Sequence, residues 1–133
     1  MAHKISEIKG LDADIQTKLE QANVVFIEDL LKETNTPQKR SALAKQLGVE
    51  SSKLTDWINR ADLMRLNGVG KEMAHLLEEC GVDSCKELQH RIPENLQAKL
   101  KETNDKEKIT HHAPTLAQVQ EWIKEAATFA AQS

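Results

Sequence analysis

The sequence contains no tyrosine, only two phenylalanines and only two tryptophans. A protein that stacks single-stranded bases needs several exposed aromatic rings, so this scarcity argues against such a platform. Cysteine is equally sparse: Cys80 and Cys85 are the only two, too few for a disulfide framework. No apolar run approaches the roughly 20 residues that span a bilayer. The opening MAHKISEIKG lacks the apolar core of a secretory signal, and the expected compartment is the cytoplasm. An excess of positive charge is also missing. The formal net charge is −3, whereas dedicated nucleic-acid binders are usually basic. Any contact with nucleic acid must then come from a local feature.

What is present suits a folded, helical chain. Of 133 residues, 39% are hydrophobic and 29% charged, which excludes wholesale disorder. Helix punctuation is frequent. Thr36-Pro37 reads as an N-cap followed by proline at the first helical position, and Gly48 as a stop after Leu47. Ser84-Cys85-Lys86-Glu87 and Thr115-Leu116-Ala117-Gln118 match the capping-box pattern. Apolar residues recur at helical spacing in Leu54, Trp57, Ile58 and Ala61, and again in Leu116, Val119, Trp122, Ile123 and Ala126. No segment alternates as a strand would. The expected fold class is all-α, with about eight short helices in one compact two-lobed unit.

The chain also repeats itself. Ile8-Lys9-Gly10-Leu11-Asp12 aligns with Leu66-Asn67-Gly68-Val69-Gly70. At the same spacing Leu19 pairs with Leu77, Ala22 with Cys80, Val24 with Val82 and Leu30 with Leu88. Pro37 and Pro93 each open a helical run, and Trp57 and Trp122 each lie late in a half. The expected halves are residues 1–60 and 61–133, the second carrying a polar insertion near 104–114. A repeated tryptophan is expected to be the large core filler of its half.

LNGVGK, residues 66–71, is the one local pattern with specific chemistry. Two glycines flanking an apolar residue suit a tight bend, with the apolar side chain turned inward. Lys71 to Cys80 then forms a helix that Gly81 ends. The first amides of that helix lack intrahelical partners and carry partial positive charge, so they suit a phosphate oxygen. It is not a Walker loop: the spacing is too short and no Ser or Thr follows Lys71.

LNGVGKEMAHLLEECGV resembles the helix-hairpin-helix motif, with Ala74, Leu77 and Gly81 at its packing and terminal positions. IKGLDADIQTKLEQANV resembles a degenerate copy, in which Asp12 replaces the second glycine and Asn23 the terminal one. ADLMRLNGVG, PENLQAKL and the late Trp-Ile pair together resemble the DUF4332 family of uncharacterised bacterial proteins. That resemblance implies a tandem helix-hairpin-helix fold and no known activity. The helix-hairpin-helix resemblance implies non-sequence-specific DNA binding by the backbone amides of Gly68, Val69 and Gly70, with Lys71 as the nearby cation. In several helix-hairpin-helix proteins the hairpin carbonyls also hold a monovalent cation.

Other residues weigh for and against this expectation. Arg65 and Lys86, with Lys71, are the cations expected to assist phosphate binding. They are interleaved with Asp62, Glu72, Glu78, Glu79, Asp83 and Glu87, a pattern more typical of a solvated mixed-charge face. Asp12 would cap its helix and repel a phosphate, so the first bend is expected to be structural. His111-His112 has no further ligand at metal spacing, and no metal or other cofactor is expected. The carboxylates of Glu78 and Glu79 point about 100° apart on a helix, which does not make a catalytic pair. The function expected is therefore non-enzymatic DNA binding. The alternative is a protein-interaction or scaffold module that uses the fold purely as architecture.

Overall fold

A computed structural model describes residues 3–131. It contains eight α-helices and no strand among the described residues, so the chain is all-α. Contacts divide it into two compact units, Met1–Arg65 and Leu66–Ser133. No helix among the described residues is long and apolar enough to cross a membrane.

The first unit begins with a 3-10 turn, Ile5–Glu7, followed by α1 (Ala13–Gln21), α2 (Ile27–Glu33), α3 (Pro37–Leu47) and α4 (Ser51–Met64). Ile15 and Leu19 of α1, Ile27 and Leu30 of α2, Leu43 and Leu47 of α3 and Leu54 and Trp57 of α4 are all buried. Helical spacing puts each pair on one face, and these faces make the unit's core. The α4 stripe continues through Ala61 and Met64, with Leu63 buried on another face, so the helix runs past residue 60. A lone antiparallel bridge joins Lys4 to Phe26.

The second unit holds α5 (Lys71–Glu79), α6 (Cys85–Leu88), α7 (Pro93–Glu107) and α8 (Leu116–Ala131). Here α8 packs on α6 and α7, and α5 packs on α7. Leu76, Leu77, Leu88, Leu100, Val119 and Trp122 are at most 2% exposed and form its core.

Positions 58 apart reach the same backbone state in the two units. Gly10 and Gly68 have φ +83° and +86°, and Asn23 and Gly81 have φ +66° and +86°. The amide of Val24 donates to the Leu19 carbonyl, and that of Val82 to Leu77, both at 2.9 Å. Asparagine is the residue besides glycine that tolerates the left-handed region, which is why Asn23 serves where the second unit has Gly81.

The caps follow the local chemistry. The Thr36 hydroxyl accepts from the Lys39 amide at 3.1 Å, with Pro37 first in α3. Thr115 and Gln118 form a reciprocal capping box at 3.2 and 2.9 Å. At Ser84 only half the box forms: its hydroxyl accepts from the Glu87 amide, while the Glu87 carboxylate turns to Arg91. Asp29 accepts from the amides of Phe26 and Val25, at 3.0 and 3.2 Å. Those amides hold its carboxyl below the ordinary carboxylate range.

Both tryptophans are buried, and each does more than fill space. Trp57 Nε1 donates to the Gly10 carbonyl at 3.2 Å, and Trp122 Nε1 donates to the Asn67 carbonyl at 2.7 Å. Each indole therefore ties the last helix of its unit to the bend that opens it.

Trp57→Phe and Trp122→Phe are each expected to cost about 2 kcal/mol in urea denaturation, from one lost hydrogen bond and an underfilled site. The lowered Asp29 pKa has a separate consequence. Its stabilisation is complete above the ordinary value of 3.8 and is lost as pH falls through the folded value. Asp29→Asn is expected to flatten that acid limb when stability is measured against pH.

Candidate functional site

The bend at residues 66–70 is built by burial at its two ends. Leu66 and Val69 are 1% and 0% exposed, while Asn67 and Gly68 face outward. The Val69 amide donates to the Leu66 carbonyl at 3.1 Å and closes a four-residue turn. Its third position is Gly68 at φ +86°, where a side chain would strain the backbone. The first unit makes the same turn, with the Leu11 amide on the Ile8 carbonyl at 3.3 Å and Gly10 in the third position.

The two glycines have different roles. Gly70 lies at φ −103°, ψ −160°, extended backbone that any residue adopts, and is the N-cap of α5. A Cβ placed there would meet nothing within 4 Å. At the equivalent position the first unit has Asp12, which also precedes its helix in extended conformation. The turn thus requires Gly68 and does not require Gly70. What the missing side chain at Gly70 provides is open space over the start of α5.

Of the amides expected to meet a phosphate, that of Val69 is consumed inside the turn. It is not available, because the inward turn that buries the valine side chain also directs its N–H at the Leu66 carbonyl. The amides of Gly68, Gly70, Lys71 and Glu72 have no protein acceptor among the described residues. Lys71 is exposed and first in α5.

The other expected cations stand elsewhere. Arg65 closes the first unit in an ion pair with Asp62, and its side chain is only 24% exposed. Its charge is offset locally because the two residues lie three apart at the end of α4. Lys86 is exposed on α6 and does not line the cleft beside the bend. Asp12 does not cap its helix with its side chain. The carboxylate pairs instead with Lys53 Nζ at 2.9 Å, and the same ammonium sits 5.6 Å from the centre of the Trp57 ring.

The segment expected as a polar insertion has a definite structure. Asn104 to Glu107 is the last turn of α7, and the chain then reverses through Lys108 at φ +51°. Asn104 is 7% exposed and grips Thr110 twice: Oδ1 accepts from the Thr110 amide at 2.8 Å, and Nδ2 donates to its carbonyl at 3.1 Å. The Thr110 hydroxyl then donates to the His112 carbonyl at 2.8 Å. This clasp forms one wall of a 640 Å³ cleft whose other wall is the bend, at Gly68, Gly70 and Met73. Lys108 and His111 bring positive or protonatable groups to the cleft, and Glu72 and Asp105 bring negative ones.

Sequence reasoning missed Asn104, Lys108 and Thr110 as builders of this site, although one signal was present. Leu96, Leu100 and Asn104 share one helical stripe, and a polar residue ending a buried stripe implies a specific partner. Among the described residues no three His, Cys, Asp or Glu side chains come together as a metal site. Cys80 and Cys85 are both buried, and the Cys80 thiol lies 3.4 Å from the Thr103 hydroxyl.

The glycine asymmetry has a direct test. Gly68→Ala is expected to lose about 1–2 kcal/mol from positive φ alone, since its Cβ would lie 4.0 Å from the nearest atom, Trp122 Nε1. Gly70→Ala is expected to stay within about 0.5 kcal/mol of the parent in the same denaturation assay, because the gain from a less flexible unfolded chain is offset by alanine's weakness as an N-cap.

No curated protein and no solved structure matches the chain. The pattern of a family described as a domain of unknown function, DUF4332, matches residues 9–129, which takes in the second bend, all of the first but Ile8, the Asn104 clasp and both tryptophans. The chain belongs to the DUF4332 family.

Proposed function

We propose that this protein is a non-enzymatic, tandem helix-hairpin-helix module that binds the phosphate backbone of DNA, without reading sequence, through its second bend. The observation that carries this reading is Gly70. Neither its backbone angles nor its packing calls for glycine, yet the position is kept clear directly over unpartnered amides at the start of α5. Glycine is a favoured N-cap, and here the missing side chain also leaves room for the close approach of an outside group. An anion suits that place, because the three consecutive open N–H groups of Gly70, Lys71 and Glu72 at a helix start carry net positive potential.

The contact set is small. Gly68, Gly70 and Lys71 supply main-chain donors, Lys71 supplies the nearest cation, and Lys108 lines the adjoining cleft. Arg65 is held by Asp62 and Lys86 stands away from the cleft, so neither adds a strong contact. Binding is therefore weak and spans few phosphates. At about 0.9 released counterions per phosphate, the slope of log K against log salt is expected near −2 for duplex DNA.

A second reading is supported by Ile92, 59% exposed between α6 and α7 and beside a small 260 Å³ cleft with Arg91, Leu96 and Lys99. A large apolar side chain so exposed suits a protein-interaction or scaffold module.

Gly70→Asp separates the readings because it places an acidic N-cap where the first unit already has Asp12. Stability is expected to rise by about 0.5 kcal/mol while duplex affinity at low salt falls at least tenfold. Denaturation and fluorescence anisotropy on the same sample measure both. A stabilised variant that binds like the parent would leave the bend as architecture only.

A further inference from the structure

Three residues beyond each tryptophan, one side chain reaches back to the bend of its own unit, and the two carry opposite charge. In the first unit Arg60 Nη1 donates to the Lys9 carbonyl at 2.6 Å. In the second, the Glu125 carboxylate accepts from the Asn67 amide, at 3.2 Å to Oε1 and 3.3 Å to Oε2. Spacing of three places each on the same helix face as its tryptophan. Lys9 and Asn67 are also equivalent, each preceding the positive-φ glycine. The polarity follows the side chain: a guanidinium only donates and takes the Lys9 carbonyl, whereas a carboxylate only accepts and takes the Asn67 amide, next to the carbonyl that Trp122 holds.

A carboxylate held by a main-chain N–H at this bend is chemically close to a phosphate held there. It is also an unneutralised charge: among the described residues no Lys or Arg nitrogen lies within ion-pair distance of Glu125. The amide it holds immediately precedes that of Gly68, which is open. An anion approaching Gly68 and Gly70 therefore meets a negative charge already seated on the bend. Glu125 is half-buried, but its bonds to the Asn67 amide are exposed, so the repulsion acts at short range and is weakened by salt.

We propose that Glu125 is an internal competitor for the second bend, an anion built into the fold that sets how weakly the bend takes phosphate. This rests on the reading of that bend as the phosphate contact. In the first unit Arg60 stands at the equivalent place, and the carboxylate of that bend, Asp12, is paired with Lys53.

Glu125→Gln removes the charge and keeps an oxygen that can accept from Asn67, so the bend stays braced. The test is fluorescence anisotropy with a short blunt DNA duplex at low salt. The proteins are the parent, Glu125→Gln, Glu125→Ala, Glu121→Gln and the double variant Glu125→Gln with Gly70→Asp. Glu121 is exposed on the same helix and pairs with Lys124, so its neutralisation makes the same change in net charge away from the bend. Glu125→Gln is expected to tighten binding roughly three- to tenfold with the salt slope unchanged. Glu125→Ala, which frees the amide, is expected to gain at least as much and serves if the glutamine variant folds poorly. Glu121→Gln is expected to have little effect, and the double variant to lose the gain.

Detectable binding by Glu125→Gln alone, with a silent parent, would also support the proposal. If Glu121→Gln tightened binding equally, or the gain survived Gly70→Asp, net charge and not competition at the bend would be the cause, and the proposal would fall. Equal binding by parent and Glu125→Gln, abolished in both by Gly70→Asp, would overturn the proposal and leave the phosphate reading intact. If neither the parent nor any Glu125 variant bound, both would fall.

Discussion

In each unit a tryptophan on the last helix donates its indole N–H to a carbonyl of the opening bend, Trp57 to Gly10 and Trp122 to Asn67. These links join residues 47 and 55 positions apart in sequence. A short helix pair with a polar bend between its arms has little apolar surface of its own, and ordering the bend costs backbone entropy. The indole supplies both compensations at one place. Its ring fills the space beneath the bend, and its nitrogen satisfies a carbonyl that would otherwise be desolvated. Residues 60 and 125 approach the bends because they lie one turn further along the same helix faces, and so their charges, opposite in the two units, reach equivalent residues, Arg60 at the Lys9 carbonyl and Glu125 at the Asn67 amide.

This arrangement explains how one backbone plan produces two different surfaces. The first bend is enclosed by charge: Asp12 is paired with Lys53, and Arg60 holds the Lys9 carbonyl. The second is left open on one side, where Gly70 lacks a side chain, and braced on the other by Glu125. Beside it the Asn104–Thr110 clasp turns a polar segment into the wall of a cleft. Fixing that wall takes one buried amide side chain with both of its polar atoms satisfied. Such a residue is costly to replace with an apolar one, because the Thr110 main chain would lose both partners.

Local sequence carries local information well. Proline after threonine, serine and threonine at helix starts, and glycine or asparagine at helix ends act through neighbours within about four residues, so the caps at Thr36 and Thr115 and the turns at Gly48 and Gly81 are readable in the chain. The core is readable for a related reason: helical periodicity places Leu54 with Trp57, and Val119 with Trp122, on one face whatever lies opposite. Less legible were the Glu87 carboxylate, drawn from its capping box to Arg91, and Asp12, drawn from its helix to Lys53. In each case a cation competed with a local amide for the same oxygen. One of these cations is only four residues away, but the other is 41 positions distant.

The all-α class, the caps at Thr36 and Thr115 and the need for glycine in the bend at 66–70 were determined by the sequence alone, because each depends on backbone sterics and periodicity within a short stretch. Which amides of the bend stay open, that Arg65 is engaged by Asp62, that Asn104 builds a wall with Thr110 and that Glu125 sits on the Asn67 amide were decided only by tertiary structure. The physical reason is that a hydrogen-bonding or charged group has many possible partners along the chain. Only folding selects which one arrives within about 3 Å of it.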